Sequence, residues 1–202
     1  MALKASETAL ILIGYQNDYF AADGILNGVI ATNSEHNHTL SNTFNFIDNA
    51  LELGIKVYNV PIFFSDDYSE LDNPVGLLAQ IKELGAFKES TAGGAVIDEI
   101  LKYGDKIQEV RGKTGFNCFS KTELNQTFIN EGIKNVAFAG VVTSVCIDSS
   151  ARASFELGYN TIVLSDCIAG RSKMENEFYC DDIFPLYAHV KTSQQLVNSF
   201  NE

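Results

Sequence analysis

The sequence predicts an α/β fold: a mostly parallel β-sheet with helices on both of its faces. Three observations carry this reading. Strand-like apolar runs alternate with segments of helical spacing along the whole chain, which is the pattern of successive βαβ units. The runs at 8–13 and 136–140 are apolar almost throughout, as strands buried on both faces are. Finally, 202 residues with 46% hydrophobic content suffice for one sizeable core, so a single domain over residues 1–202 is expected.

Taken in order, residues 8–13 form the first strand and lead into the polar, aromatic stretch GYQNDYF at 14–20. Residues 21–28 continue as loop. Asn33 or Ser34 then caps a helix reaching Leu53, with Leu40, Phe44, Ile47 and Leu51 on one face, and Gly54 closes it. Residues 56–64, KVYNVPIFF, read as the second strand. Its Pro61 marks a bend or a position that needs no N–H. A turn-rich stretch at 65–76 holds Asp66, Asp67, Glu70 and Asp72. Short helices at 77–84 and 95–103 flank a glycine-rich turn. A short strand covers 107–110, a loop 112–122, and a helix 123–131 with Thr122 as its cap. The strand at 136–140 runs into a helix from Ser144 to Leu157, which Gly158 stops. A strand at 159–165, a helix at 173–179, an edge strand at 188–191 and a helix at 193–200 complete the reading.

Composition excludes several classes of partner. The formal net charge is −12 with no basic tail or patch, which argues against nucleic acid and against anionic membrane. The four cysteines, Cys118, Cys146, Cys167 and Cys180, form no CxxC pair, so free thiols in a reducing compartment are expected. The first apolar run is too short for a signal peptide or a membrane span. A cytoplasmic protein is the expectation.

In open parallel sheets, ligands sit outside the carboxyl ends of the strands. Three stretches fall there together: 14–20, 65–73 and 141–146. Cys146 stands at the first turn of a helix, just past a strand end. Backbone N–H groups and the helix dipole favour a thiolate at such a position, and the same N–H groups can hold an oxyanion. A buried free cysteine is nevertheless often only a packing residue, and that is the reading for Cys118, Cys167 and Cys180. Tyr19, Phe20, Phe116 and Asn117 are candidates to line a pocket, although aromatic residues beside strands more often belong to a core.

Three blocks carry a resemblance. ALILIGYQNDYF, GKTGFNCFSKTEL and AGVVTSVCIDSSARASFELGY resemble the signature blocks of the isochorismatase-like cysteine hydrolases. That superfamily includes nicotinamidases, carbamoylsarcosine and ureidoacrylate amidohydrolases, and isochorismatases. The resemblance spans residues 8–166 and implies a three-layer αβα sandwich around about six parallel strands, with an Asp–Lys–Cys triad. Cys146 matches the nucleophile. Lys113, six residues before Phe119, matches the lysine. The N–H groups of Val142 and Cys146 match the oxyanion hole, beside a Val141–Val142 bond that would be cis. A lysine ammonium next to a cysteine favours the thiolate, which attacks a small amide-like carbonyl and forms a thioester. The resemblance also implies a dimer or tetramer, with 184–200 as a candidate interface.

One departure stands out. The family block has the form VIDxQNDF, and its aspartate falls on Gly14 here. Glycine carries no proton. Vinyl-ether chemistry of the isochorismatase kind, which needs the acid and no thiol, is therefore disfavoured. The loop SDDYSELDNPVG contains no histidine, so the metal site of nicotinamidases is not expected, and no cofactor is implied. Asp18, Asp66 and Glu70 are the candidate replacement acids or substrate contacts, while Gly14 and Val141 would floor the pocket. Two functions follow as expectations: a thiol-dependent hydrolase of a small C–N bond, or a family member that binds small molecules, or acts as a scaffold, without turnover.

Overall fold

A computed structural model describes residues 3–200. Six strands form one sheet in the order β3-β2-β1-β4-β5-β6, and every neighbouring pair is parallel. The strands are β1 Thr8–Ile13, β2 Lys56–Val60, β3 Ile107–Glu109, β4 Asn135–Val141, β5 Asn160–Ala169 and β6 His189–Lys191. The helices are α1 Asn17–Phe20, α2 Asn27–His36, α3 Thr39–Leu53, α4 Gly76–Leu84, α5 Asp98–Leu101, α6 Leu124–Glu131, α7 Asp148–Glu156, α8 Lys173–Phe178 and α9 Ser193–Asn198.

The central strand shows why the sheet is covered twice. All six residues of β1 are buried. Alternation sends Ala9, Ile11 and Ile13 to one face, where they meet Phe128 of α6 and Ile147 and Ala151 beside and within α7. Leu10 and Leu12 go to the other face, against Phe46 and Ile47 of α3, Ile100 of α5 and Leu196 of α9. Each such side chain gains about 1.5–3 kcal/mol by leaving water, so a polar residue at any of these positions would break the layer. Phe184 and Leu196 are fully buried in these two cores, so much of the 184–200 segment packs on its own chain.

Several expected boundaries move. The helix expected from Asn33 or Ser34 to Leu53 is two helices, broken at Asn37 and at His38, whose φ is 52°. The first of them starts at Asn27, inside the expected 21–28 loop. β2 stops at Val60, directly before Pro61, because proline brings no N–H to a ladder. The expected 95–103 helix shrinks to Asp98–Leu101. β5 runs on to Ala169, with a shift of register against β4 between Phe138 and Gly140. The helix that carries Cys146 opens with a wider π turn, Thr143–Ile147, before α7 begins. Single π turns inside helices often mark functional sites.

Candidate active site

The carboxyl ends of β1 and β4 lie side by side, with Ile13 paired to Gly140. Gly140 must be glycine: a Cβ there would lie 1.9 Å from the Ile13 carbonyl oxygen. The chain then passes through a cis Val141–Val142 peptide bond into the π turn. The Val142 carbonyl accepts from the N–H groups of Val145 and Ile147, at 3.0 and 3.2 Å. The Thr143 hydroxyl donates to Asn176 Oδ1 of α8 at 2.6 Å, with both residues buried. The turn is thus pinned from inside and from the neighbouring helix.

Cys146 is 7% exposed, and its Sγ lies 3.7 Å from Lys113 Nζ. Lys113 is itself only 2% exposed. No carboxylate pairs with its ammonium among the described residues, where ion pairs form at other cations. A buried cation is costly unless paired, and the thiol is its polar partner. The loop bearing Lys113 is fastened to α7 by Ser150, whose hydroxyl accepts from the Cys118 N–H at 3.0 Å and donates to the Phe116 carbonyl at 3.3 Å. So the blocks GKTGFNCF and VCIDSS, 33 residues apart at the Lys113–Cys146 contact, meet through hydrogen bonds of their own.

The remaining thiols differ. Burial pushes Cys118 up to about 12, and burial together with Asp181 pushes Cys180 up to about 12. Burial and then Asp166 raise Cys167 well above the ordinary thiol range. Burial thus disfavours the thiolate at all three.

Gly14, at the end of β1, has φ 78°. A Cβ at this position would lie 2.8 Å from Val141 Cγ2, 3.0 Å from the Val141 carbonyl oxygen and 3.5 Å from Tyr19 Cδ2. The place where an acid would project is therefore filled by Val141, with the Tyr19 ring alongside.

The candidate acids have other partners. Asp18 is 1% exposed, and its Oδ2 accepts from the Phe87 N–H at 2.6 Å. It belongs to a tether: Gln16 reaches Ile62 and Gly94 with both ends of its amide, and Asn17 reaches the Ala92 carbonyl. Asp66 accepts from Ser90. Glu70 accepts from the Ser65 N–H and hydroxyl. Desolvation pulls the Glu70 carboxyl upward, but the hydrogen bonds within its loop outweigh it and leave the net shift downward. None of the three hydrogen-bonds Cys146 or Lys113 among the described residues.

A cavity of about 450 Å³ opens beside the π turn, lined by Val142, Ser144, Val145, Tyr19, Arg171 and Tyr179, with α2 and α4 supplying further walls. Of the pocket residues expected from sequence, Tyr19 lies here. Phe20 instead stacks on Tyr15 with centroids 5.4 Å apart. Phe116 packs against the core that contains Cys146, and Asn117 Oδ1 accepts from the Phe119 N–H at 2.8 Å to build its turn. Sequence reasoning missed Leu26, Val29, Leu77 and Gln80 because they come from helices whose placement over the sheet ends is a tertiary fact. Arg171 and Tyr179 were missed as well, and their one available signal is that they follow the carboxyl end of β5. Among the described residues no three His, Cys, Asp or Glu side chains converge as metal ligands would.

Comparison with known proteins identifies the fold and the family. The chain is 27% identical over 178 residues to the ureidoacrylate amidohydrolase RutB of Rhizobium rhizogenes, covering 82% of this chain and 72% of that one. A cysteine hydrolase from Pseudomonas syringae pv. phaseolicola superposes with a TM-score of 0.84 at 16% identity, covering 100% of this chain and 95% of that chain. The N-carbamoylsarcosine amidase of Thermoplasma acidophilum gives 0.71 at 21% identity, covering 93% and 96%. Residues 8–195 match the Isochorismatase domain, and the chain belongs to the isochorismatase family.

Proposed function

We propose that this protein hydrolyses a small amide-like C–N bond, with Cys146 as the nucleophile. The single observation that carries the reading is the buried Lys113–Cys146 contact at 3.7 Å, at the carboxyl edge of the sheet. The named relatives are amidohydrolases and a cysteine hydrolase, which supports the same class. The Cys146 sulfur, 3.7 Å from Lys113 Nζ, attacks the carbonyl carbon as its thiolate. The N–H groups of Val142 and Cys146 receive the oxyanion. The C–N bond then breaks, the departing nitrogen takes a proton from water and leaves as the amine, and an acyl thioester remains on Sγ. Water hydrolyses the thioester, giving the carboxylic acid and restoring the thiol.

The carboxylate missing at Gly14 favours a second reading, in which the fold binds a small molecule without turning it over. One experiment separates the two. Purified protein is treated with iodoacetamide between pH 5 and 9, and a panel of small carboxamides and ureido compounds is assayed. The hydrolase reading expects Cys146 to label faster than free cysteine below pH 8, and it expects turnover that disappears in Cys146→Ala. Labelling no faster than free cysteine would sink the activated-thiolate claim. Turnover that survives Cys146→Ala would remove this residue from the chemistry.

A further inference from the structure

The chain has eight tyrosines, and six of them place the hydroxyl on a protein partner. Tyr15 meets Thr43, Tyr58 meets Glu131, Tyr68 the Ala86 carbonyl, Tyr103 Asp48, Tyr159 Asn125 and Tyr187 Asp148. The hydroxyls of the other two, Tyr19 and Tyr179, have no hydrogen-bond partner among the described residues, and both tyrosines line the cavity beside the Cys146 turn. Tyr179 is partly exposed, so solvent serves it. Tyr19 as a residue is only 5% exposed, yet its hydroxyl is not among the buried oxygens left without a partner, so the oxygen keeps open surface while the ring is buried beside the cavity that Tyr19 lines.

The ring of Tyr19 is held firmly. It packs on Phe87 with centroids 5.1 Å apart and an interplanar angle of 50°, and its Cδ2 edge lies 3.5 Å from where a Cβ at Gly14 would stand. Its backbone belongs to the α1 turn, where its N–H donates to the Gln16 carbonyl at 3.0 Å and its carbonyl accepts from the Asn27 amide at 3.0 Å. The hydroxyl is therefore a fixed donor, positioned before any ligand arrives. Burial, followed by the Cys146 and Asp18 charges, drives its titration well above the ordinary phenol range. It stays protonated and donates.

We propose that the Tyr19 hydroxyl is a substrate-recognition donor, which hydrogen-bonds an acceptor oxygen or nitrogen carried on the atom next to the reacting carbon. No proton is transferred in this role. The substrate class narrows accordingly: a small, partly apolar amide with a second acceptor adjacent to the scissile carbonyl. This inference rests on Cys146 being the reacting group.

The test needs no natural substrate. Iodoacetamide bears an acceptor carbonyl beside its reacting carbon, and ethyl iodide bears none. Rates of Cys146 alkylation by both reagents are measured in the wild type and in Tyr19→Phe, which keeps the ring. We expect Tyr19→Phe to slow iodoacetamide by roughly 5–10-fold, the share of one hydrogen bond, while ethyl iodide reacts at its wild-type rate. An unchanged ratio of the two rates overturns the proposal and leaves Cys146 as the nucleophile. Equal slowing of both reagents also overturns it, because Tyr19 would then act on the thiol and not on the ligand. A wild type that neither reagent labels overturns the nucleophile reading itself.

Discussion

At the residue scale two features stand out: a buried lysine that pairs with no carboxylate among the described residues, and a glycine, Gly14, whose side-chain space is taken by Val141. Lys113 is 2% exposed and touches Cys146 Sγ. Removing the sulfur leaves that ammonium unpaired, so Cys146→Ala is expected to destabilise the protein by about 1–3 kcal/mol. Adding Lys113→Met should recover part of this loss, because the lone buried charge goes with it. Urea titrations of the two single variants and the double variant form the cycle that measures the coupling, and additive effects would mean that the pair is not an energetic unit. Gly14 makes the opposite point. Restoring an acid by Gly14→Asp should not restore a family-like site. The new side chain meets Val141 Cγ2 at 2.8 Å at a φ of 78°, a combination of overpacking and left-handed backbone expected to cost about 2 kcal/mol or more. A folded Gly14→Asp protein with wild-type stability and higher amide turnover would contradict this.

At the element scale, the π turn is held in place by its neighbours. Thr143 donates to Asn176 of α8, and Ser150 of α7 holds the loop of Lys113. Thr143→Val keeps the shape and leaves Asn176 Oδ1 buried without its donor, which costs about 1–3 kcal/mol. Thermal melting reads the loss directly, and iodoacetamide labelling of Cys146 should slow in the same variant; unchanged melting and labelling would show that α8 does not position the turn. Elements of this kind mark how far the sequence could be read. The parallel sheet, its buried strands and the Cys146 turn were legible because apolar runs and Gly140 are local signals. The break between α2 and α3 was not. Asn37 Nδ2 donates to the carbonyls of Ser165 and Ile168, at 2.9 and 2.8 Å, and Asn42 donates to the Asp166 carbonyl at 2.9 Å. These carbonyls lie in the irregular stretch of β5, more than 120 residues away in the chain, so no local pattern announces the partner. The same holds for Gly14: the glycine shows in the sequence, but Val141 beside the space of its side chain shows only in the fold.

At the scale of the whole molecule, the Lys113–Cys146 contact and the ion-paired Glu131 cluster lie at opposite ends of the sheet. Cys146, Lys113 and the cavity sit at the carboxyl ends of the strands. At the amino ends Glu7 meets Lys134 at 3.0 Å and Lys56 of β2 meets Glu131 of α6 at 2.7 Å. Tyr58 also donates to Glu131. Partial burial pulls the Glu131 carboxyl upward, but the hydrogen bonds from Lys56 and Tyr58 outweigh it and leave its folded pKa below the ordinary carboxylate value. A carboxylate depressed in this way stabilises the fold above its unfolded pKa, and the stabilisation is lost as pH falls through the folded value. The pair is about a quarter to two-fifths exposed, at 42% and 27%, so screening limits the effect to about 0.5–1 kcal/mol. Glu131→Gln is therefore expected to melt a few degrees below the wild type at pH 7, and the gap is expected to narrow as pH falls toward 3 and the wild-type carboxyl takes up its proton. The distance between the two ends adds a second arm to the measurement. Glu131→Gln should leave the rate of Cys146 alkylation at pH 7 unchanged, because neither the π turn nor Lys113 hydrogen-bonds to this cluster. A melting difference that persists undiminished at pH 3 would assign the effect to packing of the side chain and not to its charge. A changed alkylation rate would show that the amino-end cluster and the cysteine turn are coupled through β4 and β1.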